Sequence, residues 1–422
     1  MRFLDVLETL RADAPTEREK GARFERLFAR WLRADPTRAS EIEQVWLWED
    51  VPARGALGSR DLGIDLVART FLGEYQAYQC KFYSENTMLD EVASFLSNSS
   101  RRFPDPISGE MTGFSSRFLV STNDGWSPNA RKIMRNQETP VQIISFQSFA
   151  DSEVDWESLL RNEQGKRPKK EPRDYQLQII KKAQEHFLNA ERGQLIMACG
   201  TGKTFTSLNI AEKLLADGSG RVSGTVLFLV PSIALLNQTL NAWMADARIP
   251  LKAVCVCSDH TASRKRDEDE AVIELALPAT TRPGEIARRL RDYENLLAGD
   301  GIVAVFSTYQ SLAAVYEAQE ILRAKGDWQF DLIICDEAHR TSGAVAAEKY
   351  FTRIHDGSYI RGKKRLYMTA TPKIYAAHAR AQAKERKLGS AQWTTPTFTA
   401  RRLQGSASIS RSQTSCSAST RS

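Results

Sequence analysis

The sequence predicts an α/β protein built from two units, and three observations carry that prediction. From Arg173 to about Glu385, short apolar runs alternate with helix-length segments, the pattern of a parallel sheet covered by helices on both faces. A glycine-rich loop, Ala198-Cys199-Gly200-Thr201-Gly202-Lys203-Thr204, stands directly behind one of those runs. Ahead of this region, an amphipathic helix precedes strands that alternate with a period of two. The 422 residues thus divide into a first α/β unit (1–160), a basic linker (161–172), a parallel-sheet unit (173–385) and a disordered tail (386–422).

Composition sets the outer limits. Hydrophobic residues make up 42% and charged residues 26%, as in a globular chain with room for two or three domains. A net charge of +6 and a pI near 8.9 permit a nucleic-acid partner without requiring one. The six cysteines (80, 199, 255, 257, 335, 416) form no CxxC pair and no metal-ligand spacing, so reduced core thiols are expected. Met1–Ala14 mixes acids and bases without an apolar core, and no apolar run reaches about 18 residues. Neither a signal peptide nor a membrane span is expected, and a cytoplasmic location follows.

In the first unit, Phe24, Leu27, Phe28 and Trp31 fall at i, i+3, i+4 and i+7, which predicts a helix over 15–33 with one buried stripe. Arg23, Arg26 and Arg30 form a separate, solvent-facing row. Strands are expected at Gly63–Arg69, Tyr75–Phe82, Arg117–Ser121 and Val141–Ser145, with a helix over Asp90–Leu96. Period two puts Gln79 and Lys81 on one face, and a hairpin with an odd-length loop near Gly73 places Asp65 opposite Gln79. An acid, an amide oxygen and an ammonium then converge. Asp65 and Gln79 offer oxygen ligands for Mg²⁺, and Lys81 offers a cation that orients water, a set suited to phosphodiester hydrolysis. Glu25 flanks the buried stripe and either aims a carboxylate at this set or forms a salt bridge on the helix flank.

The stretch from Arg161 to Lys170 has no periodicity and contains Gly165 and Pro168, so it reads as a hinge or as a DNA backbone contact. Beyond it, strands are expected at Leu195–Ala198, Thr225–Val230, Ile302–Phe306, Leu332–Cys335 and Arg365–Thr369, with Ser258–Ala271 as a surface excursion. In the glycine-rich loop, Gly200, Thr201 and Gly202 leave backbone N–H groups free to wrap phosphates. Lys203 can reach the β and γ oxygens, and Thr204 can place its hydroxyl on Mg²⁺. Asp336 follows Leu332-Ile333-Ile334-Cys335 and so stands where a buried strand ends and a ligand crevice opens. There it can hold Mg²⁺ while Glu337 activates water against the γ-phosphate. Thr369-Ala370-Thr371 completes the series. ATP and Mg²⁺ are the cofactors this order predicts.

Past Glu385 the text changes. No acidic residue follows, and eight of the residues 404–422 are serine. Such composition buries no core, so disorder is expected.

The motifs from Arg173 to Pro372 resemble the first RecA-like domain of superfamily 2 (DEAH-box) helicases and translocases. Arg173-Asp174-Tyr175-Gln176 is similar to the Q motif, which implies that Gln176 reads the adenine edge. Leu229-Val230-Pro231-Ser232 and Ser307-Thr308-Tyr309-Gln310-Ser311 resemble the segments that touch the nucleic-acid backbone, a task suited to hydroxyls and N–H groups at strand ends. Asp336-Glu337-Ala338-His339 resembles the DEAH box. Thr369-Ala370-Thr371 resembles the motif that couples hydrolysis to strand movement, with His339 as its neighbour. Met197 departs from the usual Gly or Ala at the first loop position, a form that related restriction translocases share. The resemblance also implies a second RecA-like domain after Pro372 that supplies an arginine finger. This sequence does not contain it, and lack of a finger costs about three to five orders of magnitude in turnover.

Residues 15–150 resemble PD-(D/E)xK nucleases in their Mrr-like form, where Gln replaces the usual Glu of the last triplet. That implies a catalytic set of Asp65, Gln79, Lys81 and Glu25, with metal binding weakened or limited to one ion by the neutral Gln79. The two units in this order resemble the N-terminal part of type ISP single-polypeptide restriction-modification enzymes. The matching segments are Lys20-Gly21-Ala22-Arg23-Phe24-Glu25, Gly63-Ile64-Asp65-Leu66-Val67-Ala68 and Gln79-Cys80-Lys81-Phe82-Tyr83. Double-stranded DNA is the implied partner, with methyltransferase and target-recognition parts in a full-length relative. On this ground residues 386–422 are expected to be read out of frame. The leading function is an ATP-dependent DNA endonuclease and translocase fragment of a restriction (defence) system. Its rivals are a repair or remodelling helicase whose nuclease fold only binds DNA, and a truncated remnant that binds ATP and DNA without turnover.

Overall fold

The computed structural model describes residues 1–52, 54–57, 63–82, 89–123, 137–139, 141–257, 275–338, 353–370 and 397–399. The first unit is a mixed five-stranded sheet of β1 (Ile42–Leu47), β2 (Leu66–Thr70), β3 (Tyr75–Lys81), β6 (Phe114–Ser121) and β7 (Val141–Ile144), in that spatial order. The short strands β4 (Phe103–Pro104) and β5 (Met111–Thr112) pair with each other. The first two pairings of the sheet are antiparallel and the last two parallel.

The helix Glu17–Ala34 starts at Thr16, whose hydroxyl accepts from the Glu19 N–H at 3.2 Å. Its stripe of Phe24, Leu27, Phe28 and Trp31 is buried against Tyr78 and Phe118 of the sheet, as the spacing predicts. Of its arginine row, Arg26 is exposed, but Arg30 is half-buried and donates to the Leu159 carbonyl at 3.3 Å. The opposite sheet face packs on Val92, Phe95 and Leu96 of the helix Leu89–Asn98. Among the elements beyond the sequence reading are an N-terminal helix and β1. Residues Phe3–Asp13 form a helix with Phe3, Val6, Leu7 and Leu10 buried, and β1 covers the edge of the sheet.

The second unit is a parallel sheet with seven strands among the described residues. These are β8 (Arg192–Ile196), β9 (Ser223–Val230), β10 (Leu251–Val256), β11 (Gly301–Thr308), β12 (Phe330–Cys335), β13 (Gly362–Thr369) and β14 (Thr397–Thr399). Their spatial order is β10-β11-β9-β12-β13-β8-β14. The helices Asp174–Phe187, Lys203–Leu214 and Ile233–Asp246 cover one face, and Pro283–Leu297 and Leu312–Arg323 the other. Strand β14 was not expected in a tail without apolar period. It is a short Thr-Phe-Thr edge that needs only backbone pairing to β8. The rest of 386–422, and the excursion Ser258–Ala271, lie outside the described residues. So does Cys416; among the described cysteines none is disulfide-bonded. Among the described residues no helix is long and apolar enough to cross a membrane.

The two units meet along a polar seam. Arg289, 9% exposed, lies between Glu41 (3.4 Å) and Glu74 (3.1 Å) of the first unit and Glu285 (3.2 Å) of its own helix. Burial acts to lower the pKa of this guanidinium, but Glu41 and Glu74 hold it above its ordinary value. Arg288 adds a second contact to Glu74 at 2.7 Å, and the Thr37 hydroxyl donates to Asn241 at 2.8 Å. Lys252 donates to the Ser40 carbonyl and lies 3.7 Å from the centre of the Phe71 ring; burial pushes its pKa down to about 8. The linker is not a loose hinge. Asp155 donates its N–H to the Gly165 carbonyl, Lys170 pairs with Asp246 at 3.1 Å, and Arg248 pairs with Glu171 at 2.6 Å.

Candidate nucleotide and metal sites

In the second unit the strands run parallel, so their C-terminal ends lie along one edge of the sheet. Strand β8 runs out at Ile196, and the loop to the helix Lys203–Leu214 turns through Gly200 (φ 75°) and Gly202 (φ 83°). Both lie in the left-handed region that favours glycine. At Gly202 a Cβ would also come within 2.7 Å of the Gln176 Nε2. Thr201 is tied down twice: its hydroxyl donates to the Ala198 carbonyl at 2.7 Å, and its own carbonyl accepts from the Tyr175 hydroxyl at 2.8 Å. Lys203 and Thr204 open the helix and are half-buried. The Lys203 ammonium donates to the Met197 carbonyl at 3.5 Å, a long contact.

Gln176 departs from the expectation. Its Oε1 accepts from the Arg173 N–H at 2.9 Å, and its Nε2 donates to the Thr201 carbonyl and the Thr206 hydroxyl. With 4% exposure, the amide supports the glycine-rich loop from behind. The Q-motif resemblance locates the residue correctly, but its hydrogen bonds are spent inside the fold.

Asp336 is held on every side. Its N–H donates to the Leu229 carbonyl (2.9 Å), its C=O accepts from the Tyr309 hydroxyl (2.8 Å), and its Oδ1 accepts from the Glu337 N–H (2.9 Å). Burial pushes its carboxyl up to about 6; the Glu337 charge adds to this, and the Lys203 ammonium opposes it. Glu337 has φ 48°, a left-handed backbone uncommon for a non-glycine residue. Thr369 is fully buried, and its carbonyl accepts from the Met197 N–H at 3.1 Å, which joins the end of β13 to the phosphate-type loop. His339 and Thr371 lie outside the described residues. Tyr309 was quoted in a nucleic-acid segment, and nothing in the sequence signals its bond to Asp336.

The first unit gathers a second cluster. The register of β2 on β3 pairs Leu66 with Tyr78 and Arg69 with Tyr75, the register expected from the Gly73 turn. One step further along it, Asp65 donates its N–H to the Tyr78 carbonyl at 2.8 Å, and its Oδ2 accepts from the Cys80 N–H at 2.6 Å. Gln79 is 4% exposed, and its Oε1 has no hydrogen-bond partner among the described residues. Gly63, with φ 70°, lets the chain pass close to this amide; a Cβ there would lie 3.0 Å from Nε2. Burial raises the Cys80 thiol, and the charges of Asp65, Glu25 and Lys81 all act on it. Asp65, Glu25 and Lys81 thus lie within electrostatic reach of the strand that carries Gln79. A buried amide oxygen without a partner among the described residues is a donor of the kind a hard divalent cation takes.

Comparison with known proteins matches two stretches of the chain. Residues 33–166 match the family described as "Restriction endonuclease", and residues 169–374 the family described as "Type III restriction enzyme, res subunit". A solved structure of the ATP-dependent Type ISP restriction-modification enzyme LlaBIII bound to DNA superposes with a TM-score of 0.72 at 34% identity, over 88% of this chain and 23% of that one. A probable helicase of African swine fever virus is 33% identical over 205 residues, 48% of this chain and 20% of the relative. The Type I restriction enzyme EcoAI endonuclease subunit of Escherichia coli is 29% identical over 207 residues, with the same shares. The chain spans about a fifth of the length of these curated relatives.

Proposed function

We propose that this chain, a restriction-endonuclease domain joined to a helicase-type domain, is the ATP-dependent nuclease and DNA-translocating portion of a restriction enzyme, acting in the cytoplasm against foreign DNA. The observation that carries the reading is the pair of left-handed glycines, Gly200 and Gly202, ahead of Lys203, with Asp336 held at the end of β12 within electrostatic reach of Lys203. The N–H groups of Gly200 and Gly202, at the positive end of the helix Lys203–Leu214, suit the phosphates of ATP. Lys203, loosely held, swings to the β and γ oxygens. Thr204 and Asp336 would hold Mg²⁺, which neutralises phosphate charge when bound. Glu337 takes the proton of the attacking water. Gln176 supports the loop, and Thr369, Thr371 and His339 link hydrolysis to movement on double-stranded DNA.

In the nuclease half, Asp65 and Gln79 would hold Mg²⁺, which supplies Lewis acidity at the scissile phosphate. Lys81 orients the water and steadies the charge that develops, and Glu25 adds a carboxylate to the same cluster. Support for DNA as substrate comes from the DNA-bound relative. Methyltransferase and target-recognition parts accompany this portion in a full-length relative.

The test separates binding from chemistry. Lys203→Ala is expected to abolish binding of a fluorescent ATP analogue, whereas Glu337→Gln retains it and loses hydrolysis. Equal loss of binding in both variants removes the role given to Glu337. Full binding by Lys203→Ala removes the nucleotide site.

A further inference from the structure

Trp48 follows β1 and opens the short helical turn Trp48–Asp50. Strand register sets it in a row with two members of the proposed nuclease site. Leu47 pairs with Leu66, and Leu66 with Tyr78, so one step further Trp48 stands opposite Asp65 and Asp65 opposite Gln79. Two backbone bonds continue the row. The Trp48 N–H donates to the Asp65 carbonyl and the Asp65 N–H to the Tyr78 carbonyl, both at 2.8 Å. The Trp48 ring packs on the cluster of Val67, Ala77 and Phe95, the sheet face to which period two also assigns Asp65 and Gln79.

Two polar atoms of this row are buried without a hydrogen-bond partner among the described residues: the Gln79 Oε1 and the Trp48 Nε1. They are opposite in kind. The amide oxygen accepts and suits a cation, whereas the indole N–H only donates and cannot hold one. Indole has no second polar atom to compensate. By contrast, the bare Nε atoms of Arg54 and Arg117 belong to guanidinium groups that donate through other nitrogens. A buried donor left bare costs stability, so one beside a hydrolytic site points to an acceptor that arrives there. Burial limits the size of that acceptor. A DNA phosphate brings its chain with it, while a water molecule needs the least opening to reach the atom.

We propose that Trp48 is a further catalytic residue of the nuclease, whose indole N–H donates to the oxygen of the water that attacks the phosphodiester. The inference rests on the nuclease reading above and adds a residue to it. The N–H fixes the place and orientation of the water beside Asp65, and the water comes into place with the divalent ion.

The experiment uses the full chain. Trp48→Phe removes the N–H and keeps an apolar ring. Nicking of plasmid DNA with Mg²⁺ is expected to lose about tenfold to a hundredfold in kcat, with KM within about twofold of the parent. The melting temperature without Mg²⁺ is expected to hold or rise, because an unsatisfied donor has gone. A second readout needs no turnover. In the parent carrying nitrogen-labelled tryptophan, the Trp48 indole resonance is identified by its loss in Trp48→Phe. It is expected to move downfield when Mg²⁺ is added without DNA. A resonance that Mg²⁺ leaves in place overturns the proposal, as does a parental kcat in the variant. A raised KM marks a DNA contact, and a kcat that falls together with the melting temperature marks packing; either result overturns it too. A parent that does not nick overturns the nuclease reading together with this inference, whereas a parent that nicks with Trp48 indifferent overturns this inference alone. Should Trp48→Phe fail to fold, benzothienylalanine at position 48, in which sulfur replaces the N–H, keeps the shape and decides by the same kinetics.

Discussion

Asp336 shows how function works against stability at a single side chain. Its folded-state pKa, about 6, lies above the ordinary 3.8, so the fold favours the neutral carboxyl. The sign follows from linkage: this group's contribution to stability is fully present below about pH 3.8 and is lost as pH rises through about 6. Asp336→Asn, which mimics the neutral form, is therefore expected to stabilise the second unit by roughly 1–3 kcal/mol near pH 7.5, with the gain vanishing near pH 4. Urea midpoints at the two pH values measure this, and a destabilised variant at neutral pH contradicts it. The same variant should lose Mg²⁺-dependent nucleotide affinity. Side chains at this scale are only partly legible in sequence. Lys203, Asp336 and Glu337 announce themselves by order along the chain. Gln176 does not reveal its orientation, because an amide can face a base or a loop with equal chemistry.

The hairpin of β2 and β3 is the element on which the nuclease reading depends. In the proposed site it sets Asp65 one step beyond the Leu66–Tyr78 pair and presents Lys81 two residues after Gln79, with Glu25 on the helix Glu17–Ala34. Asp65→Ala or Lys81→Ala is expected to eliminate Mg²⁺-dependent nicking of plasmid DNA while leaving ATP-analogue affinity within about 0.5 kcal/mol of the parent, because the sites are far apart along the fold. Nicking that persists in the Asp65 variant removes the assignment. This hairpin was legible because period-two alternation and a turn glycine fix the register locally. The helix Phe3–Asp13 carries a clear apolar spacing that its many charges mask. Strand β10 was hidden by Lys252, a residue that is rarely buried. It tolerates burial here only because a carbonyl and an aromatic ring of the other unit receive its ammonium. Tertiary partners distant in sequence leave no local signal.

At the scale of the whole molecule, the two units are joined more firmly than the linker suggests. Arg289→Ala strips the cation from Glu41 and Glu74, two carboxylates that are themselves largely buried. Removing one member of such a network is expected to cost about 3–5 kcal/mol. Calorimetry is expected to show one unfolding transition splitting into two as the units part. A single unshifted transition shows that the seam carries no load. Laboratory recombination that exchanges nuclease modules by cutting in the linker would strand half of this charge network in each product. A chimera that folds and stays whole must inherit matched partners on both sides: Thr37, Glu41, Phe71 and Glu74 from one parent, and Asn241, Lys252, Arg288 and Arg289 answering them from the other.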